Sequence, residues 1–144
     1  MSTNNPQNSA AYYAKRDYAG VRLIALCLWR EARGEVLRYR LAVRGIAHVI
    51  LNRVADKHWP ATVEGVILQP WQFSSFNAKD PNAVKYPSDG SVIWDACLEI
   101  AANPGDDPTG GANHYESCMP VTMPAWADPA KITLKAGPFR FYRL

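Results

Sequence analysis

Glu31 is the acidic residue whose position in the sequence best suits proton-transfer chemistry. It follows Trp29-Arg30 at the end of an apolar stretch that begins at Val21. Burial and the partial negative charge at a helix C-terminus both favour the protonated form of a carboxyl group. A protonated carboxyl near neutral pH is what a general acid requires. The alternative is that Glu31 is an ordinary helix-end residue paired with Arg30 or Arg33.

Glu35 offers a second carboxyl group four residues further along the chain. Most glycosidases use two carboxyl groups, one on either side of the glycosidic bond that is cleaved. Gly34 breaks the helix between Glu31 and Glu35, so the sequence does not fix their separation. The alternative is that Glu35 braces the turn by accepting backbone N–H groups.

Two segments mix aromatic rings with amides and hydroxyls, namely Trp71-Gln72-Phe73-Ser74 and Asn113-His114-Tyr115-Glu116. Sugar rings need this mixture, because their C–H faces stack on aromatics and their hydroxyls need donors and acceptors. The alternative is that buried aromatic residues simply hold these segments in place. Near the C-terminus, Phe139 and Phe141 share one strand face and are expected in the core, whereas Tyr142 points the other way.

Metal and cofactor chemistry have little support in the sequence. The three histidines are scattered, and the chain contains no His-Glu-x-x-His, no Cys-x-x-Cys and no EF-hand loop. No glycine-rich phosphate loop follows a predicted strand. We therefore expect neither a metal nor an organic cofactor.

The three cysteines, Cys27, Cys97 and Cys118, are an odd number, which argues against a disulfide framework and for synthesis in a reducing compartment. A cysteine nucleophile assisted by His114 and Asn113 would make a peptidase. This alternative is disfavoured because Cys27 lies among leucines in a helix. Cys118 lies in a proline-flanked loop with no helix N-terminus to activate it.

Length and composition predict one globular domain. The 144 residues are 48% hydrophobic and 20% charged, which is enough to bury a core. The net charge of +3 is mild, and Lys and Arg are not concentrated as in a nucleic-acid binder. The apolar run Val21–Trp29 is too short to span a bilayer, and the first 18 residues lack the apolar core of a secretory signal. We expect cytoplasmic synthesis, no nucleic acid partner and no stable membrane insertion.

The predicted elements form an α+β domain, with a helical N-terminal two-thirds and a short antiparallel β region at the C-terminus. Residues 1–18 are expected to be a flexible lead-in and residues 19–144 a single catalytic domain. Apolar periodicity and capping residues predict the following helices: Asp17–Arg33, Arg38–Lys57, Thr62 (as N-cap) to Leu68, and Val92–Ala102 after a Ser91 cap. Between the last two helices, Gln69–Gly90 is predicted as a loop. The predicted strands are Ala112–Tyr115, Lys131–Lys135 and Phe139–Arg143, the last two joined as a hairpin.

Five groups of residues, in this order, resemble the motifs of SleB/CwlJ-type cell wall hydrolases, a family that includes spore-cortex lytic enzymes. They are Trp29–Glu35 with Ala42-Val43 and Val49–Val54, then Pro60–Val63, Gln72–Ser74, Asp107–Ala112 with Tyr115, and Arg140–Tyr142. The resemblance extends from about Val21 to Leu144. The sequence departs from the family pattern at two places: Trp29-Arg30 stands directly before Glu31, and His114 stands beside the usual aromatic residue.

The resemblance implies a small lysozyme-like domain that cleaves peptidoglycan between N-acetylmuramic acid and N-acetylglucosamine. It implies a lytic transglycosylase in which Glu31 is both acid and base, 1,6-anhydro ends are produced, and no cofactor takes part. The alternatives are a hydrolytic muramidase on the same fold and a non-catalytic peptidoglycan-binding module.

The resemblance also implies how the remaining residues are used. The expected substrate-binding residues are Trp71 as a stacking platform, with Gln72, Phe73, Ser74, Asn113, Tyr115 and Tyr142. The expected structural residues of the motif are Gly34, Glu35, Asn52 and Arg53. A signal-less domain of this kind resembles a phage endolysin, and we expect a monomer that is held in the cytoplasm until a holin releases it to its partner, the glycan strands.

Overall fold

The computed structural model describes residues 18–70, 72–88, 90–117 and 123–144. Helices dominate the first part, and a small sheet closes the chain. The α-helices are α1 (Tyr18–Ala32), α2 (Arg40–Ala55), α3 (Val63–Ile67) and α4 (Val92–Ala102). The strands are β1 (His114–Ser117), β2 (Ile132–Ala136) and β3 (Phe139–Tyr142). The predicted α+β class, helical first and antiparallel at the end, is confirmed.

Helix α1 lies at the centre of the helical part, where it contacts α2, α3 and α4. Leu28, Cys27 and Ala25 on this helix are fully buried. A helix with so many buried positions gains its stability from packing rather than from intrinsic propensity. Its last turn brings Glu31 to the edge of the core.

Helix α2 begins two residues later than predicted. The carbonyl of Glu35 accepts hydrogen bonds from the N–H groups of both Arg38 and Tyr39, and this closes a turn before Arg40. The predicted caps of the next two helices are confirmed. Thr62 accepts a hydrogen bond from the N–H of Gly65, and Ser91 accepts one from the N–H of Trp94.

The segment predicted as a loop contains two short 3-10 helices, Ser74–Phe76 and Pro81–Val84. Asp80 caps the second helix by accepting the N–H of Asn82, and Pro81 follows it at the first helical position. The buried Arg30 side chain holds the whole segment against α1. Its guanidinium donates to the backbone carbonyls of Ser75, Ala83 and Lys85.

The three strands form an antiparallel sheet in the order β1-β3-β2. The predicted hairpin between β2 and β3 is confirmed, and Gly137 adopts a positive φ of 53° in its turn. Strand β1 starts two residues later than predicted. Ala112 cannot join the ladder, because its N–H donates to Thr109 and its carbonyl accepts from Asn52.

Helix α2 packs against the sheet at Gly45 and Phe141. A Cβ atom on Gly45 would lie 2.7 Å from Cζ of Phe141, so only glycine allows this close approach. Phe141 is fully buried and Phe139 is nearly so, as the strand alternation predicts. This contact fixes the sheet, and therefore β1, relative to the helices.

Among the described residues, no helix is both long enough and apolar enough to cross a membrane.

Candidate active site

A cleft of about 490 Å³ lies where the end of α1 meets β1. Its lining contains both polar and aromatic side chains. They are Glu31, Arg53, Gln72, Phe73, Ser74, His114, Tyr115, Glu116, Ser117, Trp126 and Phe139. The cleft therefore brings together residues from both aromatic-polar segments of the sequence and places them beside Glu31.

Glu31 is part-buried, and its carboxyl group is positioned by a tyrosine. The hydroxyl of Tyr115 donates a hydrogen bond to Oε1 of Glu31 over 2.8 Å. The alternative that Glu31 pairs with a neighbouring arginine is wrong. Arg30 donates to the 75–85 segment, and Arg33 donates to Asn82 and to carbonyls of α1. Within the described part of the chain, Glu31 has no ion-pair partner.

Tyr115 acts as a donor to Glu31 because its own proton is firmly held. Burial, followed by the nearby Glu31 carboxylate, raises the pKa of Tyr115 well above its ordinary value. Its ring packs among Phe73, Phe139 and Phe141, with centroid separations of 5.8–6.3 Å. The aromatic cluster thus sets the direction from which the hydroxyl reaches the carboxyl group.

Arg53 joins the two segments that form the walls of the cleft. Its side chain donates to the carbonyl of Asn113 over 2.8 Å and to Oε1 of Gln72 over 3.1 Å. The guanidinium also lies over the rings of Trp59 and Phe73. Burial lowers the pKa of Arg53, but a guanidinium remains a cation at neutral pH. Arg53 therefore adds a fixed positive charge to the cleft as well as holding its walls.

Asn52, the residue before Arg53, anchors the 107–112 loop. Its amide donates to Oδ2 of Asp107 and to the carbonyl of Ala112. Burial alone would raise the pKa of Asp107, but hydrogen bonds from Thr109 and Asn52 outweigh it and lower the pKa. The motif residues on α2 thus fix the loop that leads into β1.

Glu116 is a second carboxylate of the cleft, and its role was not predicted from the sequence. It is only 8% exposed. Arg140, its cross-strand partner in the register of β1 and β3, donates to both of its oxygens. The hydroxyl of Tyr142 donates to Oε2 over 2.7 Å. The position of Glu116 in the second polar-aromatic segment was a signal, but its pairing depends on the strand register.

Three neighbouring rings form an aromatic group beside the cleft, in which His114 and Trp126 line the cleft and Trp59 packs against His114. The centroids of His114 and Trp126 lie 4.8 Å apart, and those of Trp59 and His114 lie 6.0 Å apart. Burial is the main cause that lowers the pKa of His114, and the positive charge of Arg53 adds to it; together they bring the pKa to about 4. His114 is therefore a neutral ring at neutral pH.

Four of the residues predicted to bind substrate line the cleft: Gln72, Phe73, Ser74 and Tyr115. Two others are used elsewhere. The amide of Asn113 is bonded to the backbone of Leu144, because the chain end folds back on it. Tyr142 is 1% exposed, and its hydroxyl is bonded to Glu116, so it holds a cleft residue instead of facing the cleft. Trp71 lies outside the described residues.

Glu35 does not brace its turn through its side chain in the described structure. Its backbone N–H and carbonyl close the turn, and Gly34 next to it is exposed. Neither residue lines the cleft. Glu35 is therefore not the second carboxyl group of the site, which is Glu116.

The cysteine alternative has no geometry to support it among the described residues. Burial raises the pKa of Cys97 to about 12, and burial together with Glu31 raises that of Cys27. Neither thiol lines the cleft. Cys118 lies outside the described residues. Within the same described ranges, no three His, Cys, Asp or Glu residues are grouped as metal ligands.

The chain is similar in sequence to bacterial cell wall enzymes. Residues 40–142 match the family model described as Cell Wall Hydrolase. Spore cortex-lytic enzymes of Halalkalibacterium halodurans and Bacillus cereus are each 35% identical, over 108 and 114 residues. These matches include 75% and 76% of this chain but 29% and 39% of the relatives. The chain therefore spans about a third of the length of these relatives.

Two solved structures share the fold. The catalytic domain of the Bacillus cereus SleB protein is 29% identical, with a TM-score of 0.64, over 88% of this chain and 91% of that one. The catalytic domain of the germination-specific lytic transglycosylase SleB from Bacillus anthracis is 26% identical, with a TM-score of 0.65, over 86% and 93%. The helices and the three-stranded sheet thus match the catalytic part of SleB.

Proposed function

The chain belongs to the Cell Wall Hydrolase family, and from this premise we propose that it is a lytic transglycosylase. It cleaves the glycan strands of peptidoglycan between N-acetylmuramic acid and N-acetylglucosamine, and Glu31 is its acid and base. The B. anthracis structure with the same fold is named a lytic transglycosylase, which supports this reaction type.

One observation favours a single-acid mechanism over a two-carboxylate hydrolysis. Two carboxylates line the cleft in the described structure, Glu31 and Glu116. Glu116 already accepts hydrogen bonds from both Arg140 and Tyr142, so it is poorly placed to serve as a second proton donor or acceptor for the substrate. Among the described residues, Glu31 accepts one hydrogen bond, from the hydroxyl of Tyr115, which orients its carboxyl group.

The proposed reaction uses Glu31 twice. The carboxylic acid first donates its proton to the glycosidic oxygen as the bond from that oxygen to C1 of the muramyl residue breaks. The carboxylate then accepts the proton of the C6 hydroxyl of the same residue while O6 bonds to C1. One C–O bond breaks and one forms, no water enters, and Glu31 ends protonated as it began.

The substitution E31Q tests this role. Because an amide of the same shape cannot donate that proton, we expect the rate of clearing of a cell wall suspension to fall at least about 100-fold. Circular dichroism and thermal unfolding should stay close to those of the parent protein. E35Q is the matched control, since it changes an acid four residues away that does not line the cleft. Full activity of E31Q would remove Glu31 from the mechanism.

The same assay separates the competing functions. A non-catalytic peptidoglycan-binding module would be retained on cell walls but would clear none of the suspension. A hydrolytic muramidase would clear the suspension but release reducing muramic acid ends, because activated water would replace the C6 hydroxyl as nucleophile.

We also propose that the enzyme serves host lysis, released from the cytoplasm through a holin. The proposal is suggested by the small size of the catalytic domain, which resembles that of a phage endolysin, and it is independent of the reaction type. Expression in a Gram-negative host should cause lysis only when a holin is co-expressed. Lysis without a holin, or an intact culture with one, would contradict it.

A further inference from the structure

Glu116 forms a fixed acceptor in the cleft that the proposed reaction does not use. Its side chain is 7% exposed, yet it lines the cleft together with Trp126 and Phe139. A buried carboxylate is costly unless its charge is paired and its lone pairs are satisfied. Its bonding partners therefore show which part of the group is available to a ligand.

The two oxygens of Glu116 are unequally used. Oε2 accepts hydrogen bonds from Nε of Arg140 and from the hydroxyl of Tyr142. Among the described residues, Oε1 accepts one hydrogen bond, from Nη2 of Arg140 over 2.9 Å. A carboxylate oxygen has two lone pairs, so Oε1 can accept one more donor. The Glu116–Arg140 ion pair has no net charge. The additional donor that suits Oε1 is therefore a neutral N–H or O–H group and not a cation.

An aromatic ring, that of Trp126, lines the same cleft as this acceptor. Trp126 lines the cleft and meets the ring of Tyr142 edge-on, with centroids 5.2 Å apart. Tyr142 is the residue whose hydroxyl holds Oε2 of Glu116. Tyr142 thus contacts both side chains, and it links a hydrogen-bond acceptor and an aromatic ring that line one cleft.

We infer that Glu116 and Trp126 form a subsite that recognises the acetamido group of an N-acetylated sugar. The acetamido N–H donates to Oε1 of Glu116, and the acetamido methyl packs on the ring of Trp126. This inference rests on the proposed function, in which the substrate is a polymer of N-acetyl sugars. It makes Glu116 a specificity-determining residue, and Arg140 and Tyr142 its positioning residues.

The substitution E116Q removes the acceptor and also weakens the contact with Arg140, so recognition is read from a ratio of activities and not from activity alone. The hydrogen bonds at Oε2 favour one orientation of the new amide. Its carbonyl oxygen takes the Oε2 position, where two protein donors converge. Its NH₂ group then takes the Oε1 position, where it faces both Nη2 of Arg140 and the substrate N–H donor to donor. The variant keeps the shape of the side chain and loses the acceptor.

The test compares two preparations of one cell wall, the first de-N-acetylated and the second re-acetylated with acetic anhydride. For the parent protein we expect kcat/KM to be roughly 10- to 100-fold higher on the re-acetylated wall, the range for a hydrogen bond to a charged acceptor. E116Q should reduce this ratio towards one. A purely structural role would lower activity on both walls and leave the ratio unchanged.

Two further variants complete the experiment. E99Q breaks the surface ion pair between Glu99 and Arg40, which does not line the cleft, and should keep the parent ratio. If E116Q fails to fold, W126L provides the second measurement and should also reduce the ratio. An unchanged ratio in the folded variant, or equal activity of the parent on both walls, overturns the subsite alone. A parent protein that degrades neither wall overturns the proposed function.

Discussion

Tyr115 is the residue on which the orientation of the Glu31 carboxyl group depends. Its hydroxyl is the donor that reaches Oε1 of Glu31 in the described structure. Its ring is fixed by three phenylalanines that pack around it. An acid that first donates and then accepts a proton benefits from a hydrogen bond that fixes its orientation, because both transfers require a defined direction.

The substitution Y115F tests this hold. The ring packing stays while the hydroxyl is lost, so we expect kcat to fall about 10- to 100-fold with little change in KM. The rate of muropeptide release from purified walls measures both constants. Y86F, at an exposed tyrosine outside the cleft, is the control and should behave like the parent protein. An unchanged kcat in Y115F would mean that the hydrogen bond has no part in the reaction.

At the residue scale, the sequence predicts side-chain chemistry better than it predicts partners. The place of Glu31 at the end of a buried helix was predictable from the apolar run before it. The uses of Asn113 and Tyr142 were not, because their partners Leu144 and Glu116 are 31 and 26 residues away. Those contacts depend on how β1 pairs with β3, which a single sequence does not state.

Helix α2 and the sheet meet at a contact that depends on the absence of a side chain. G45A would place a methyl group 2.7 Å from Cζ of Phe141. We expect a loss of about 1–3 kcal/mol in the free energy of unfolding, measured by urea denaturation. Combining G45A with F141L should cost less than the sum of the two single changes, because the clash is relieved.

The control for this contact is G34A. A Cβ atom on Gly34 would meet nothing within 4 Å. Its effect on the free energy of unfolding should be within about 0.5 kcal/mol. If G45A were as mild as G34A, the close approach of α2 and β3 would not be a determinant of the fold.

At the element scale, the helices follow from local signals and the irregular parts do not. Apolar periodicity and the side chains of Thr62 and Ser91 predict α3 and α4 closely. The second 3-10 helix, Pro81–Val84, had a local signal in Asp80-Pro81, a cap followed by a proline. The start of β1 had no local signal in the sequence, because it is set by the hydrogen bond from the amide of Asn52 to the carbonyl of Ala112.

The stability of the whole molecule should fall on the acid side in part through His114. Above about pH 6.5 its imidazole is neutral in both folded and unfolded chains. Between that pH and the folded pKa of about 4, the unfolded chain binds a proton that the folded chain does not. Unfolding therefore becomes more favourable as the pH falls through this window, and the effect stops growing below about pH 4.

The substitution H114Q removes this contribution. The difference in free energy of unfolding between about pH 7 and about pH 4.5 should be smaller in H114Q than in the parent protein. L37A, at an exposed side chain that binds no proton, should keep the parent difference. An identical pH dependence in H114Q and the parent protein would mean that His114 titrates normally in the folded state.

At the scale of the whole molecule, the chain matches the catalytic part of its relatives and spans about a third of their length. The order of the five motifs predicted this family, since motifs spread over most of a chain are more specific than any one of them. Three of the motifs meet at the cleft: α1 supplies Glu31, α2 supplies Arg53, the 72–74 segment forms one wall and β1 forms another.

The most direct test of the account is mass spectrometry of the muropeptides that the protein releases from purified peptidoglycan. A single-acid mechanism at Glu31 predicts 1,6-anhydromuramic acid ends, lighter by one water than reducing ends. The anhydro product should appear at the earliest times and be absent with E31Q. Reducing muramic acid ends from the parent protein would contradict the account, because they would show that water and not the C6 hydroxyl is the nucleophile.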